Sequence, residues 1–231
     1  MKFWDDGQPN STRIRNVRFS WDKLKVLSDY LRFKEINTNC FLYDFSPHQI
    51  IKDSIHIPYP IGVYKKSEKT NIILNKSLNY DFFMMIDCDA FFDDGDYDKL
   101  VDLIKKLTLG DIVSFDLAKL NNSVDDYLIN GLFQKDRADW SFAYSGDKSL
   151  GPLHHHTGGL GGVYIADTNL LFECGGFNEK YETWGGEDGD MIGRIMYSQR
   201  PHRILPNREF FPFHLPHFSD WGNQNYYDNK K

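Results

Sequence analysis

Apolar residues along this chain alternate between compact runs and stretches in which they recur every three or four positions. Leu24, Leu27 and Leu31 fall on one face of a helix expected over Trp21–Phe33, with Ser20 as its N-cap and Asp22 in the first turn. Asn39–Phe45 (NCFLYDF) is expected as a short buried strand, followed by a loop at Pro47 and His48. Ile55–Tyr59 is a second short strand, closed by Pro58 and Pro60, and Ser67 to about Leu78 is a helix carrying Ile72, Ile73, Leu74 and Leu78. Phe82–Ile86 (FFMMI) is apolar throughout, the pattern of a central strand covered on both faces. Tyr97–Leu109 is amphipathic, with Leu100, Leu103, Ile104 and Leu107 on one face and Gly110 as its stop; Ile112–Phe115 is the next strand.

Strands therefore alternate with helices through the first half. That order predicts an α/β fold with a mainly parallel sheet and helices on both faces. Ligands of such sheets bind beyond the carboxyl ends of the strands. Asn121–Thr157 is polar and turn-rich, expected as a long excursion with a helix near Val124–Asn130. Glycines then concentrate at Gly158–Gly162 (GGLGG, with Gly161 and Gly162), Gly175–Gly176 and Gly185–Gly186. Met191, Ile192, Ile195 and Met196 have helical spacing over Asp190–Ser198, so Glu187 and Asp188 stand at or near a helix N-terminus.

Composition narrows the classes. The chain has 231 residues with 41% hydrophobic and 26% charged positions, which suits one globular domain. A formal charge of −6 argues against a nucleic-acid partner, because no basic excess exists to displace counterions. Cys40, Cys88 and Cys174 are odd in number and widely spaced, which favours a reducing compartment such as the cytoplasm. The opening MKFWDDGQPNSTR has no apolar segment of signal-peptide type, and no apolar run approaches the roughly 18 residues of a membrane span.

Two acidic motifs carry candidate chemistry. Asp87-Cys88-Asp89 follows the FFMMI strand, and residues two apart on a strand share a face. Two adjacent carboxylates repel unless a cation lies between them, and oxygen ligands suit Mg²⁺ or Mn²⁺. The plainer reading is a strand-to-turn boundary, where Asp bonds nearby amides. Asp93, Asp94, Asp96 and Asp98 read as a solvated loop and helix N-terminus. The second motif is Gly175-Gly176-Phe177-Asn178-Glu179, then Trp184-Gly185-Gly186-Glu187-Asp188-Gly189-Asp190. Acids at a helix start complement its dipole, which accounts for their charge but not for the adjacent indole. An indole face stacks on a sugar ring, while carboxylates accept hydrogen bonds from hydroxyls or remove their protons.

DCD after an apolar strand, with GGFNEKYETWGGEDGD about ninety residues later, resembles the GT-A (Rossmann-like) class of nucleotide-sugar glycosyltransferases. The likeness is to the β-1,4-galactosyltransferase and chondroitin-polymerase type with a C-terminal galactosyltransferase module, over roughly Asn39 to His217. It implies a single domain over 1–231, with a nucleotide-sugar half at about 1–120 and an acceptor half at about 150–220. It further implies that Asp87 and Asp89 hold Mn²⁺ (or Mg²⁺) against the diphosphate of a UDP-sugar, completed by His214 or His217. Asp188 becomes the base toward a saccharide hydroxyl, and Glu187 orients that acceptor. Trp184, Gly185, Gly186 and Asp190 belong to the sugar-binding segment, and Gly161 and Gly162 let the backbone approach the donor sugar. Asp44, Arg15 and Arg18 resemble the nucleotide-binding residues. Two departures stand out: Gly189 replaces a third consecutive acid, and Arg13–Phe19 (RIRNVRF) is at most a reduced first strand.

His154-His155-His156 are consecutive and cannot all face one ion, Cys88 reads as packing, and Phe210, Phe211, Phe213, Phe218 and Trp221 as core or lid. Two rival functions share parts of this pattern. A nucleotidyltransferase would use the acid pair but leave the WGGED segment without a task, and a carbohydrate-binding scaffold would use the segment without turnover.

Overall fold

The structure is a computed structural model that describes residues 10–44, 55–58, 66–87, 90–115, 118–119, 162–181, 186–207 and 209–215. The first helix, α1, spans Asn10–Phe33 and so begins well before the expected Trp21. Ile14, Val17, Trp21 and Leu24 continue the same three-and-four spacing, and no Gly or Pro interrupts the segment. Ser20 is accordingly a buried mid-helix residue and no N-cap, and Arg13–Phe19 is helical and no strand. Arg15 and Arg18 lie within α1, not ahead of it. Leu27 and Leu31 pack into the core, while Lys23 pairs with Asp94 at 2.8 Å and Tyr30 donates to Asp98 at 2.7 Å. These contacts seat α1 on α3 (Tyr97–Lys106) and on the 3₁₀ turn before it, Asp94–Asp96.

Strands β1 (Phe41–Asp44) and β2 (Ile55–Pro58) pair in parallel, and α2 (Lys66–Lys76) follows. The main sheet contains β3 (Phe82–Ile86), β5 (Asp111–Phe115), β7 (Val163–Asp167) and β8 (Arg203–Asn207), in the order β3-β7-β5-β8. Here the expectation of a mainly parallel sheet fails. Strand β7 runs opposite to both β3 and β5 and separates them, so only the β5–β8 pairing in this sheet is parallel. The strand that reverses the sheet enters after the long excursion, where the alternating pattern gave no element. Strand β3 is therefore terminal in this ladder, with four of its five residues only half-buried, while all five of β7 are buried.

Asp167 closes β7 and is fully buried. It accepts hydrogen bonds from Leu170 N at 2.9 Å, Gly110 N at 2.7 Å and the Arg200 guanidinium at 2.9 Å. One carboxylate thus starts α4 (Thr168–Glu173), fixes the turn ahead of β5 and draws in the chain before β8. Helix α5 spans Glu187–Met196 and buries Met191, Ile192 and Ile195 beside Phe83, Tyr164 and Phe177. A second, three-stranded sheet joins β4 (Ala90–Phe91), β9 (Phe213–His214) and β6 (Ala118–Lys119), with β9 in the middle. Phe210 and Phe213 are buried, as expected for the aromatic segment; Phe218 and Trp221 lie outside the described residues, as does Asn121–Thr157.

Candidate functional site

At the end of β3 the chain leaves the sheet through Asp87, whose amide donates to Gly162 O at 2.8 Å and so prolongs the pairing with β7. A Cβ on Gly162 would stand 2.4 Å from Asp87 Oδ2, closer than atoms can approach. Only glycine leaves room for that carboxylate. Helix α5 supplies two more acids from its first turn. Gly186, at φ 91, takes the left-handed conformation that starts the helix and directs Glu187 and Asp188 inward.

Between these acids lies a lysine. Lys66, the first residue of α2, is 4% exposed, and its Nζ lies 3.4 Å from Glu187 Oε1, 3.6 Å from Asp188 Oδ2 and 3.8 Å from Asp87 Oδ1. Asp87 and Asp188, a hundred residues apart in sequence, approach one nitrogen. Burial pushes the Asp188 carboxyl up to about 7; Lys66 opposes the rise, and Glu187 and Asp87 add to it. Its Oδ1 is buried with no hydrogen-bond partner among the described residues. A carboxylate in that condition can take a proton near neutral pH.

The segment leading into the WGGED motif is anchored from the same helix that carries Lys66. Asn71 Oδ1 accepts from Phe177 N at 2.7 Å, and its Nδ2 donates to Phe177 O at 2.8 Å and to Glu179 at 2.9 Å. A cleft of about 390 Å³ opens there, lined by Asn71, Phe177, Asn178, Glu179 and Arg194.

Asp87, Gly162, Glu187 and Asp188 are thus gathered, with Gly186 at the head of their helix. Asp190, one turn on, is engaged by Arg194 at 2.8 Å. His214 sits in β9 in register with Ala90, which places its backbone beside the residue that follows Asp89. Asp44 ends β1. Asp89, Gly161, Trp184, Gly185 and His217 lie outside the described residues, as do Cys88 and His154–His156. Among the described residues, no group of three or more His, Cys, Asp or Glu is arranged to hold a metal ion, and no helix is long and apolar enough to cross a membrane.

Sequence reading missed Lys66 and Tyr164. Lys66 did leave a trace: a cation in the first turn of a helix opposes the dipole, so it needs acids from elsewhere.

Comparison with known proteins adds three findings. Residues 146–217, under half of the chain, match the family model described as the N-terminal domain of galactosyltransferase. The solved structure of the mannosyltransferase PcManGT from Pyrobaculum calidifontis, in complex with GDP-Man and Mn²⁺, superposes with a TM-score of 0.52 at 14% identity, covering 93% of this chain and 56% of that one. This chain has the GT-A fold. GalNAc-T7, solved with UDP, GalNAc and Mn²⁺, matches with a TM-score of 0.45 at 16% identity over 71% of this chain and 33% of its own. The chain thus spans about a third and a little over half of those two proteins. No curated protein matches it. At this identity the superposition shows the fold alone, and the galactosyltransferase-domain match is confined to residues 146–217.

Proposed function

We propose that this chain transfers a sugar from a nucleotide diphosphate sugar, UDP-linked, to a hydroxyl of a saccharide acceptor, with inversion at the anomeric carbon. The observation that carries the reading is Asp188. It is a half-buried carboxylate raised toward neutral pH, with one oxygen that has no partner among the described residues, gathered with Asp87 around Lys66. The GT-A fold and the galactosyltransferase-domain match across the WGGED segment support it.

In this reading Asp188 accepts the proton of the incoming hydroxyl, and Glu187 orients the acceptor beside Trp184, Gly185 and Gly186. Asp190 belongs to the same acceptor segment. Gly161 and Gly162 let the backbone approach the donor sugar. Asp44, Arg15 and Arg18 are assigned to nucleotide binding. The donor half is 1–120 and the acceptor half 150–220. A single displacement inverts configuration and needs no enzyme nucleophile.

The donor chemistry fits a hard divalent cation. Asp87 supplies a carboxylate, and the β4–β9 register pairs His214 with Ala90. Asp87, Asp89 and His214 or His217 would hold Mn²⁺ or Mg²⁺. Bound there, the ion supplies neutralisation of the departing diphosphate.

Asp188→Asn tests the assignment. Transfer should be abolished while metal-dependent UDP binding, read by calorimetry, persists. Unchanged turnover would remove Asp188 as base. In a donor-cleavage assay nucleoside diphosphate release agrees with sugar transfer, whereas pyrophosphate release would replace it with nucleotidyl transfer.

A further inference from the structure

Tyr164 lies in β7, two residues after Gly162, and is 1% exposed. Its ring sits between Phe83 at 6.2 Å and Phe177 at 6.4 Å, in the core beneath α5. Core packing alone would be served by phenylalanine. The hydroxyl is an added oxygen that is buried and has no hydrogen-bond partner among the described residues. A buried hydroxyl that nothing satisfies is destabilising, which points to a partner beyond the side chains around it.

Its direction follows from the sheet. Positions two apart on a strand share a face, and the face of Gly162 is the one against which the Asp87 carboxylate rests. Tyr164 therefore leaves β7 on the side of the acidic cluster. The charged groups around the phenol come from three elements: Lys66 of α2, Asp87 after β3, and Glu187 and Asp188 of α5. Burial and then Asp188 weigh most on it, both opposing ionisation, so the phenol keeps its proton and is a donor. Asp188, the charged group that weighs most on the phenol, has in its Oδ1 a buried acceptor with no hydrogen-bond partner among the described residues. A buried donor and a buried acceptor in this condition are joined by a water that bonds to both.

We infer that Tyr164 is a positioning residue for Asp188, its hydroxyl joined through one buried water to Asp188 Oδ1. The role in turnover rests on the sugar-transfer reading; the bridge itself does not. The bridge holds the carboxylate in one rotamer and favours its ionised form, leaving the Asp188 carboxylate set for the acceptor proton.

Tyr164→Phe removes one oxygen and little volume, so the fold survives. The first measurement needs no activity. Thermal unfolding of wild type and Y164F is followed at pH 5 and pH 8.5, alone and in a D188N background. The bridge predicts that Y164F loses more stability at pH 8.5, where Asp188 is ionised, and that this pH dependence vanishes in D188N. A variant more stable than wild type at both pH values, with no dependence on Asp188, would overturn the inference, since the hydroxyl would then be an unpaired core oxygen. The second measurement is turnover. Y164F should lower kcat by about tenfold, the scale of one lost hydrogen bond to a charged group, with donor KM little changed and the acid limb of the pH profile moved upward. Unchanged kcat and an unmoved limb would overturn the positioning role. Absence of transfer by wild type would sink the sugar-transfer reading instead, and the unfolding comparison would still decide the bridge.

Discussion

Replacing Lys66 with Met tests the arrangement that organises the site. The substitution keeps the length and apolar stem of the side chain and removes only the ammonium, which lies within 3.8 Å of three carboxylates. Removing one partner of a buried ion pair costs about 3–5 kcal/mol, because the remaining charge is left without compensation. Glu187 is fully buried, but the side chains of Asp188 and Asp87 retain 17% and 25% exposure, which sets the expectation at the lower end, about 3 kcal/mol near neutral pH. At about 2–4 °C per kcal/mol for a chain of this size, the melting temperature should fall by roughly 6–12 °C. The loss should depend on pH. Asp188 is raised above its unfolded value, so its own contribution to stability is complete below the unfolded pKa and fades as pH rises through about 7. Without Lys66 the carboxyl rises further and this decline extends to higher pH. Thermal unfolding at pH 5 and pH 8 should therefore show a small loss at pH 5 and a large one at pH 8. A variant within about 1 kcal/mol of wild type at pH 8, or equal losses at both, would refute Lys66 as the counter-ion of this cluster.

Three further outcomes follow from named contacts. The acid limb of kcat/KM should fall near pH 7 with activity rising above it, since Asp188 accepts a proton only when ionised; a limb near pH 4 would point to a different base. Gly162→Ala forces Asp87 to move, because the new Cβ would meet its carboxylate at 2.4 Å; a displacement of about 1 Å should cost about 100-fold in turnover, read together with a weakened response in a Mn²⁺ titration. Arg203→Gln removes the guanidinium bonded to Asp111 at 2.6 Å. Burial pushes Asp111 up, but Arg203 and Thr108 outweigh it and hold the carboxyl below its usual value. Its stabilising effect is present above the unfolded pKa and lost as pH falls through the folded one, so chemical unfolding should show a loss at pH 7 that shrinks below about pH 4; an equal loss at both pH values would remove Arg203 as the partner of Asp111.

Local elements were largely legible in the sequence. Phe82–Ile86 is a strand with the expected bounds, and the helices at Lys66–Lys76, Tyr97–Lys106 and Glu187–Met196 lie close to the expected positions, because apolar spacing and stop residues are local signals. What failed was order in space. FFMMI has the composition of a central strand yet ends its ladder, since the strand beside it is chosen by long-range pairing that no run of residues records. Strand β7 follows the excursion as VYIAD, a β-branched and aromatic run hidden behind five clustered residues of GGLGG. Ser20 misled for the opposite reason: a good capping residue can sit inside a helix when the apolar rows continue past it. At the site the acids were legible because carboxylates cluster in motifs. Lys66 and Tyr164 were not, for Lys66 sits in an ordinary charged run (Lys65-Lys66-Ser67-Glu68-Lys69) and Tyr164 in an apolar strand, and each gains meaning only from groups brought to it by the fold.

The small sheet of β4, β9 and β6 sets an order of events during synthesis. Its two outer strands, Ala90–Phe91 and Ala118–Lys119, pair with Phe213–His214 between them. The middle piece is translated last. Until the ribosome has released it the outer two cannot be joined, so this sheet closes only after every other described element has been made.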